Sequence, residues 1–68
     1  MIAFHDKLKQ TRISKGLTQM QLAKLVNIPQ QNISSYEQGN SRPKIYKLSE
    51  ICSNLGLTID ELFENCTL

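Results

Sequence analysis

The chain has 68 residues, which suffice for one small domain and leave no room for a second. Hydrophobic residues make up 40% of it and aromatic residues only 6%, so we expect an aliphatic core. Two cysteines and one histidine without metal-ligand spacing predict no metal and no cofactor. No apolar run approaches the roughly 20 residues of a membrane span, and the N-terminus lacks the order of a signal peptide, which predicts a cytoplasmic location.

Charge is unevenly distributed along the chain, although the net charge is only +2. Residues 1–49 contain all eight Lys and Arg residues and only Asp6 and Glu37 as acids, which gives +6. Residues 50–68 contain four acidic residues and give −4. This division suits a protein whose basic part faces a polyanion while its acidic end faces away. Ordinary surface charge is the alternative interpretation.

The first two expected helices are bounded by recognisable start and stop signals. The first covers roughly residues 3–15 and ends at Gly16, since glycine commonly follows the last helical turn. The second begins at Thr18-Gln-Met-Gln21, which fits a capping box. It ends at Asn27, the residue that best tolerates a left-handed turn after glycine.

Three further helices follow after short gaps. The third runs from about Pro29 to Gln38, and the fourth has apolar residues at helical spacing from Ile45 to Leu55. A second capping box, Thr58-Ile-Asp-Glu61, opens a short fifth helix. No segment shows sustained strand alternation. The sequence therefore predicts an all-α fold, a compact bundle of five short helices.

The third helix has an outward face of an uncommon kind. Ile33, Tyr36 and Glu37 share one face by their spacing. The other face carries neutral hydrogen-bonding side chains: Gln30, Gln31, Ser34, Ser35 and Gln38. A helix that needed only solubility would more often carry Lys and Glu. The tight connection to the second helix requires a steep crossing, as in a helix-turn-helix, and glutamine amides can pair with adenine in a major groove.

The segment GLTQMQLAKLVNIPQQNISSYEQGNSRP resembles the phage repressor and Cro type of helix-turn-helix, an XRE-like family. The resemblance continues through KIYKLSEICSNLGLTIDELF and covers roughly residues 4–64. It implies a lambda-repressor-like DNA-binding domain over residues 1–68, with the helix-turn-helix at about residues 18–38. It also implies a homodimer that binds double-stranded DNA. Such a regulator, by default a repressor, reads a near-palindromic operator with its third helix.

The resemblance also implies roles for individual positions. The base-reading side chains on the third helix would be Gln30, Gln31 and Ser35, with Asn32 and Ser34 as secondary contributors. The DNA-backbone contacts would come from Thr18, Gln19, Gln38, Asn40 and Arg42. Arg12 and Glu37 match an internal ion pair that ties the first helix to the third. Pro29 and Lys44 stand where the family usually has capping residues, which bears on stability more than on class.

Several alternatives remain open. Tyr46 either covers the fourth helix or contacts a phosphate. Leu57, Phe63 and Leu68 could supply dimer contacts, although the first two could equally be core. An enzyme is not expected, because neighbours in a helix such as His5 and Asp6 diverge by about 100° and no small-molecule substrate is indicated. The competing function is a helix-turn-helix protein-interaction module, such as an antitoxin or a docking partner.

Overall fold

The computed structural model, which describes residues 2–64 and 66–67, contains five helices in close succession. They are α1 (Phe4–Ser14), α2 (Gln19–Val26), α3 (Gln30–Gln38), α4 (Ile45–Leu55) and α5 (Ile59–Phe63). Two short strands, β1 (Ile2–Ala3) and β2 (Cys66–Thr67), flank them. The predicted bundle of five short helices is confirmed, with bounds close to those expected. Among the described residues, no helix is long and apolar enough to cross a membrane.

The strand pair is the element that the sequence pattern does not predict. β1 and β2 pair in parallel, with Ile2 opposite Cys66 and Ala3 opposite Thr67. Two residues per strand are too few for the alternation by which strands are recognised in a sequence. The pair brings both ends of the described chain together beside α1.

Capping hydrogen bonds explain where α2 and α5 begin. The Thr18 hydroxyl accepts from the Gln21 N–H at 3.0 Å, and the Gln21 side chain accepts from the Thr18 N–H at 2.8 Å. Thr58 and Glu61 form the same reciprocal pair at 3.1 and 2.8 Å. Asn27 ends α2 in the left-handed region with φ 54°. Both predicted boxes and the predicted left-handed turn are confirmed.

Helices α3 and α4 begin without a capping side chain. Neither Pro29 nor Lys44 makes a side-chain capping hydrogen bond. The Pro29 carbonyl instead accepts from the N–H groups of Asn32 and Ile33 at 2.9 and 3.3 Å. The first turn of α3 therefore closes through the backbone alone.

One aliphatic core receives side chains from all five helices. Its largest fully buried residues are Leu8, Leu22, Ile33, Ile51, Leu55 and Leu62. The Phe4 ring stacks on the Phe63 ring with centroids 4.7 Å apart, so the start of α1 packs on α5. Leu57 and Phe63 pack against this core and are partly buried, which supports the core interpretation for both. The proposed dimer residue Leu68 lies outside the described residues.

Candidate nucleic-acid interface

The turn between α2 and α3 sets how α3 is presented. It consists of Asn27, Ile28 and Pro29, and Ile28 is buried within it. The Ile28 N–H donates to the Ala23 carbonyl at 3.0 Å, which draws the turn against α2. Helix α3 then packs against both α1 and α2. A short turn with a buried apolar anchor fixes the direction in which α3 leaves α2.

A buried ion pair fixes the inner face of α3. Arg12 Nε donates to Glu37 Oε2 at 2.6 Å, and Arg12 Nη2 donates to Glu37 Oε1 at 3.0 Å. The two side chains are 9% and 2% exposed. Arg12 Nη1 also donates to the Leu17 carbonyl at 2.7 Å. This bidentate arrangement holds α1, α3 and the segment before α2 in one geometry.

Gln19, at the first position of α2, is part of the same network. Its Nε2 donates to Glu37 Oε1 at 3.1 Å, and the side chain is half-buried. The adjacent Thr18 lends its hydroxyl and its N–H to the capping box. Of these two residues, both predicted as DNA-backbone contacts, Gln19 joins α2 to α3 and Thr18 caps α2.

Side chains at the C-terminal half of α3 are linked to one another. Gln38 Nε2 donates to the Ser34 hydroxyl at 3.1 Å, and Asn40 Nδ2 donates to Gln38 Oε1 at 3.1 Å. The Ser35 and Ser41 hydroxyls are 2.8 Å apart. These contacts order four of the predicted contact residues before any ligand is present.

Side chains at the N-terminal half of α3 are exposed and unengaged. Gln30, Gln31 and Asn32 all lie on the protein surface. Within the residues that the structure describes, their side chains make no hydrogen bond to the protein. Each amide therefore offers both its carbonyl oxygen and its NH₂ group to an external partner.

Open grooves border α3, and two of them are lined by predicted contact residues. The first is lined by Gln19, Pro29, Gln30, Gln31 and Ser34 and lies between the starts of α2 and α3. The second runs between α3 and the start of α4; we call it the basic groove, since Arg42, Lys44 and Lys47 line it together with Asn32 and Ser35. The acidic residues Glu50, Asp60, Glu61 and Glu64 line neither groove.

The basic groove contains residues that the sequence did not single out as contacts. Lys44 and Lys47 are not among the predicted contacts, although three cations fall within residues 42–47. Lys47 Nζ lies 3.5 Å from Glu50 Oε2 in an exposed pair, which restrains it only weakly. Tyr46 also lines this groove and is 59% exposed. The charge run was the available signal, but its position beside α3 depends on the tertiary fold.

His5 and Asp6 meet at the start of α1, which the helical spacing did not predict. Their positions diverge around the helix, yet His5 Nδ1 lies 3.4 Å from Asp6 Oδ1. The same Nδ1 lies 3.1 Å from the Glu37 carbonyl oxygen. His5 thereby joins the first turn of α1 to the last turn of α3.

The cysteines belong to the packing of the fold. Cys52 is buried, and burial raises the pKa of its thiol; Cys66 is partly buried, and both are free. Among the described residues, no group of His, Cys, Asp and Glu side chains is placed to hold a metal ion.

Two short helices joined by three residues, the second presenting a polar face, define a helix-turn-helix protein. The profile of the helix-turn-helix family HTH_3 matches residues 8–62, and the chain belongs to this family. This finding confirms the family resemblance seen in the sequence. Its relatives carry the names of transcription regulators and control proteins.

Three comparisons illustrate the similarity. The HTH-type transcriptional activator BcrR of Enterococcus faecalis is 41% identical over 59 residues, covering 87% of this chain and 29% of BcrR. Control protein C.MunI of a Mycoplasma species is 34% identical over 65 residues, covering 94% and 88%. The crystal structure of the restriction–modification controller protein C.Esp1396I matches with a TM-score of 0.78 at 30% identity, covering 90% and 80%. The chain spans 29% to 56% of four curated relatives, BcrR among them.

Proposed function

We propose that the chain is a sequence-specific, double-stranded DNA-binding transcription regulator that places α3 in the major groove. The observation that carries the proposal is the exposed amide row at the start of α3, which has no hydrogen-bond partner in the described part of the chain and is held outward by the buried Arg12–Glu37 pair. A major groove about 12 Å wide accepts one helix. The names of the relatives, activator and control protein, support the same function.

Gln30 and Gln31 are the proposed base readers. A glutamine amide pairs in bidentate fashion with adenine N6 and N7, and a free amide can do so without first breaking a bond to the protein. Asn32, at the edge of the basic groove, has the same capacity. Ser34 and Ser35 are proposed as secondary readers, because each hydroxyl already has one protein partner.

The proposed backbone contacts lie on both sides of these readers. On one side, Thr18 and Gln19 start α2, whose N-terminal N–H groups favour an anion. On the other side are the cations of the basic groove, Arg42, Lys44 and Lys47, together with Gln38 and Asn40. Phosphate contacts would set the register of α3, while the neutral amides read base edges.

We further propose a homodimer on a near-palindromic operator. Two copies of α3 in successive major grooves would lie roughly 34 Å apart. The similarity to control proteins of restriction–modification systems supports a regulatory role. We propose repression, since occupying an operator requires only the DNA-binding surface. BcrR is named an activator, so a transcription assay is needed to determine whether the chain represses or activates its target.

Selection from random duplex DNA with the purified protein at about 150 mM salt tests this function. A two-fold symmetric consensus is expected, with half-site centres about 10–10.5 base pairs apart and adenine where Gln30 and Gln31 reach. A parallel selection with a Gln30→Ala, Gln31→Ala variant should lose those adenines and keep the spacing.

The competing function, a protein-interaction module such as an antitoxin, predicts a different result. The protein would then enrich no sequence, and its binding to DNA would be weak and sensitive to salt. Salt dependence alone does not separate the two functions, because any binding through phosphates loses affinity as salt rises, with a slope near −0.9 per phosphate contacted. Absence of enrichment at several salt concentrations would overturn the proposal.

A further inference from the structure

The first turn of α1 contacts the segment that joins α3 to α4 at two points. His5 Nδ1 lies 3.1 Å from the Glu37 carbonyl oxygen, and the His5 ring packs on Gly39. A Cβ at Gly39 would lie 2.9 Å from His5 Cδ2, so a larger residue would displace the His5 ring, and the φ of +80° also favours glycine. Three residues further on, the Arg42 guanidinium carbon lies 5.3 Å from the centroid of the Phe4 ring. The start of α1 therefore supports this segment at Gly39 and at Arg42.

Phe4 is a rigid platform. It is 3% exposed, and its ring stacks on Phe63 at 4.7 Å with 18° between the ring planes. Arg42, in contrast, is exposed and would sample many rotamers if it were free. A cation over an aromatic face is attracted to the ring quadrupole, which restricts the guanidinium to one region.

Arg42 lies at the boundary of two concavities. It lines the basic groove beside Asn32 and Ser35 of α3. It also lines a cavity of about 220 Å³ that Phe4 and Tyr36 share. A cation at this boundary can keep its contact with the ring while its outer edge faces a ligand beside α3.

We propose that Phe4, which would not touch DNA, is a positioning residue for DNA binding. Its ring holds the Arg42 guanidinium in place for a contact with the sugar–phosphate backbone beside α3. The inference rests on the proposed function, since it assigns a second residue to the same interface. The physical gain is that Arg42 loses less conformational freedom when DNA binds.

A double-mutant cycle tests the inference. The affinity for a random-sequence duplex is measured for wild type, Phe4→Leu, Arg42→Ala and the double variant, with the melting temperature of each. Phe4→Leu is expected to weaken binding about two- to fivefold when Arg42 is present, the range of a surface cation–π contact. In the Arg42→Ala background the same change should have no further effect. Equal weakening in both backgrounds would overturn the inference.

Matched variants separate positioning from folding. Phe4→Tyr keeps the ring and should bind like wild type. Ile51→Val removes a methyl group from another fully buried site and should leave binding unchanged; an equal weakening there would assign the Phe4 effect to lost packing. Arg42 is exposed, so Arg42→Lys should fold. It keeps the charge but loses the planar guanidinium group, and we expect it to weaken DNA binding. This test remains informative if Phe4→Leu fails to fold. Wild-type affinity of Arg42→Lys would also overturn the inference.

Together with the selection from random duplex DNA, these data distinguish this inference from the proposed function. If the wild-type protein enriches no sequence in that selection, the proposed function fails, and the role of Phe4 in it fails as well. If wild type enriches a consensus but Phe4→Leu and Arg42→Ala act additively, only the positioning role is overturned.

Discussion

The inner and outer faces of α3 differ in whether their polar groups are buried and hydrogen-bonded within the protein. On the inner face, Glu37 is buried and both of its carboxylate oxygens accept hydrogen bonds from Arg12, with a third bond from Gln19. On the outer face, Gln30 and Gln31 are exposed and unengaged within the described residues. One helix thus combines a fully satisfied ionic anchor with a row of free neutral amides.

On the proposed function, this difference would separate the groups that hold the helix from the groups that read bases. A buried charge must be paired, because an unpaired one carries a large desolvation penalty, so the inner face has one favoured geometry. Neutral amides carry no charge that draws them to every phosphate, and they can distinguish bases by donor and acceptor pattern. The cations, which would attract DNA without reading it, lie to the side, in the basic groove.

The largest expected effect comes from breaking the inner face. Glu37→Ala leaves the buried Arg12 uncompensated and should lower the free energy of unfolding by about 3–5 kcal/mol. Denaturant unfolding measures this. Glu50→Ala, at an exposed carboxylate, is the matched control and should change stability by less than about 1 kcal/mol. A changed base preference of Glu37→Ala with stability intact would contradict the division between the two faces.

The next effect comes from the outer face. Gln31→Ala should cost about 1–3 kcal/mol on the selected site, because it removes one bidentate base contact. The loss on random DNA should be much smaller, and the unfolding transition should not move. Gln10→Ala, at an exposed glutamine of α1, serves as control and should bind both DNAs like wild type. An equal loss on both DNAs would remove Gln31 from base reading.

A smaller effect is expected from Arg42, which follows α3 in the chain and lines the basic groove. Arg42→Ala should weaken binding to all sequences alike and reduce the salt slope by about one unit, as the loss of one phosphate contact requires. Titrations at four or more salt concentrations measure the slope. Lys9→Ala changes an exposed cation of α1 and should leave the slope close to that of wild type. An unchanged slope for Arg42→Ala would exclude Arg42 from the backbone contacts.

The smallest expected effect is a difference between α2 and α5 in how their capping boxes respond to acid. Hydrogen bonds from the Thr58 N–H and hydroxyl lower the pKa of Glu61 below 4.5, whereas the α2 box uses the neutral Gln21. A lowered folded-state pKa stabilises the protein above the unfolded value, and this contribution is lost as pH falls through the folded value. The stability difference between wild type and Glu61→Gln should therefore shrink below about pH 4.5. A difference independent of pH would contradict this prediction.

Local chemistry explains why the helices could be predicted. The capping boxes at Thr18 and Thr58 and the left-handed Asn27 act within a few residues, so their sequence signatures are sufficient. The strand pair could not be predicted, since it joins residues more than sixty positions apart through only two residues per strand. The approach of His5 to Asp6 could not be predicted from helical spacing, because the divergence of helical neighbours does not prevent their side chains from meeting at a helix start.

The candidate site likewise has features that the sequence predicts and features that it does not. The spacing on α3 separates Ile33 and Glu37 from the outward amides, and spacing is a property of sequence. The sequence does not show which outward groups lack a hydrogen-bond partner in the described chain, because the bonds of Ser35 to Ser41 and of Gln38 to Asn40 depend on how the chain leaves α3. The basic groove likewise needs the angle between α3 and α4 before its lysines come beside the amides.

The helices, their ends and the neutral character of the outer face of α3 follow from periodicity and short-range hydrogen bonding, so they can be read from the sequence. The bidentate geometry of Arg12 on Glu37, the position of Phe4 under Arg42, and the place of Lys44 and Lys47 beside α3 depend on the folded arrangement of the helices. Such contacts join residues distant in the chain. They arise from packing all the helices on one core, and no local pattern contains that information.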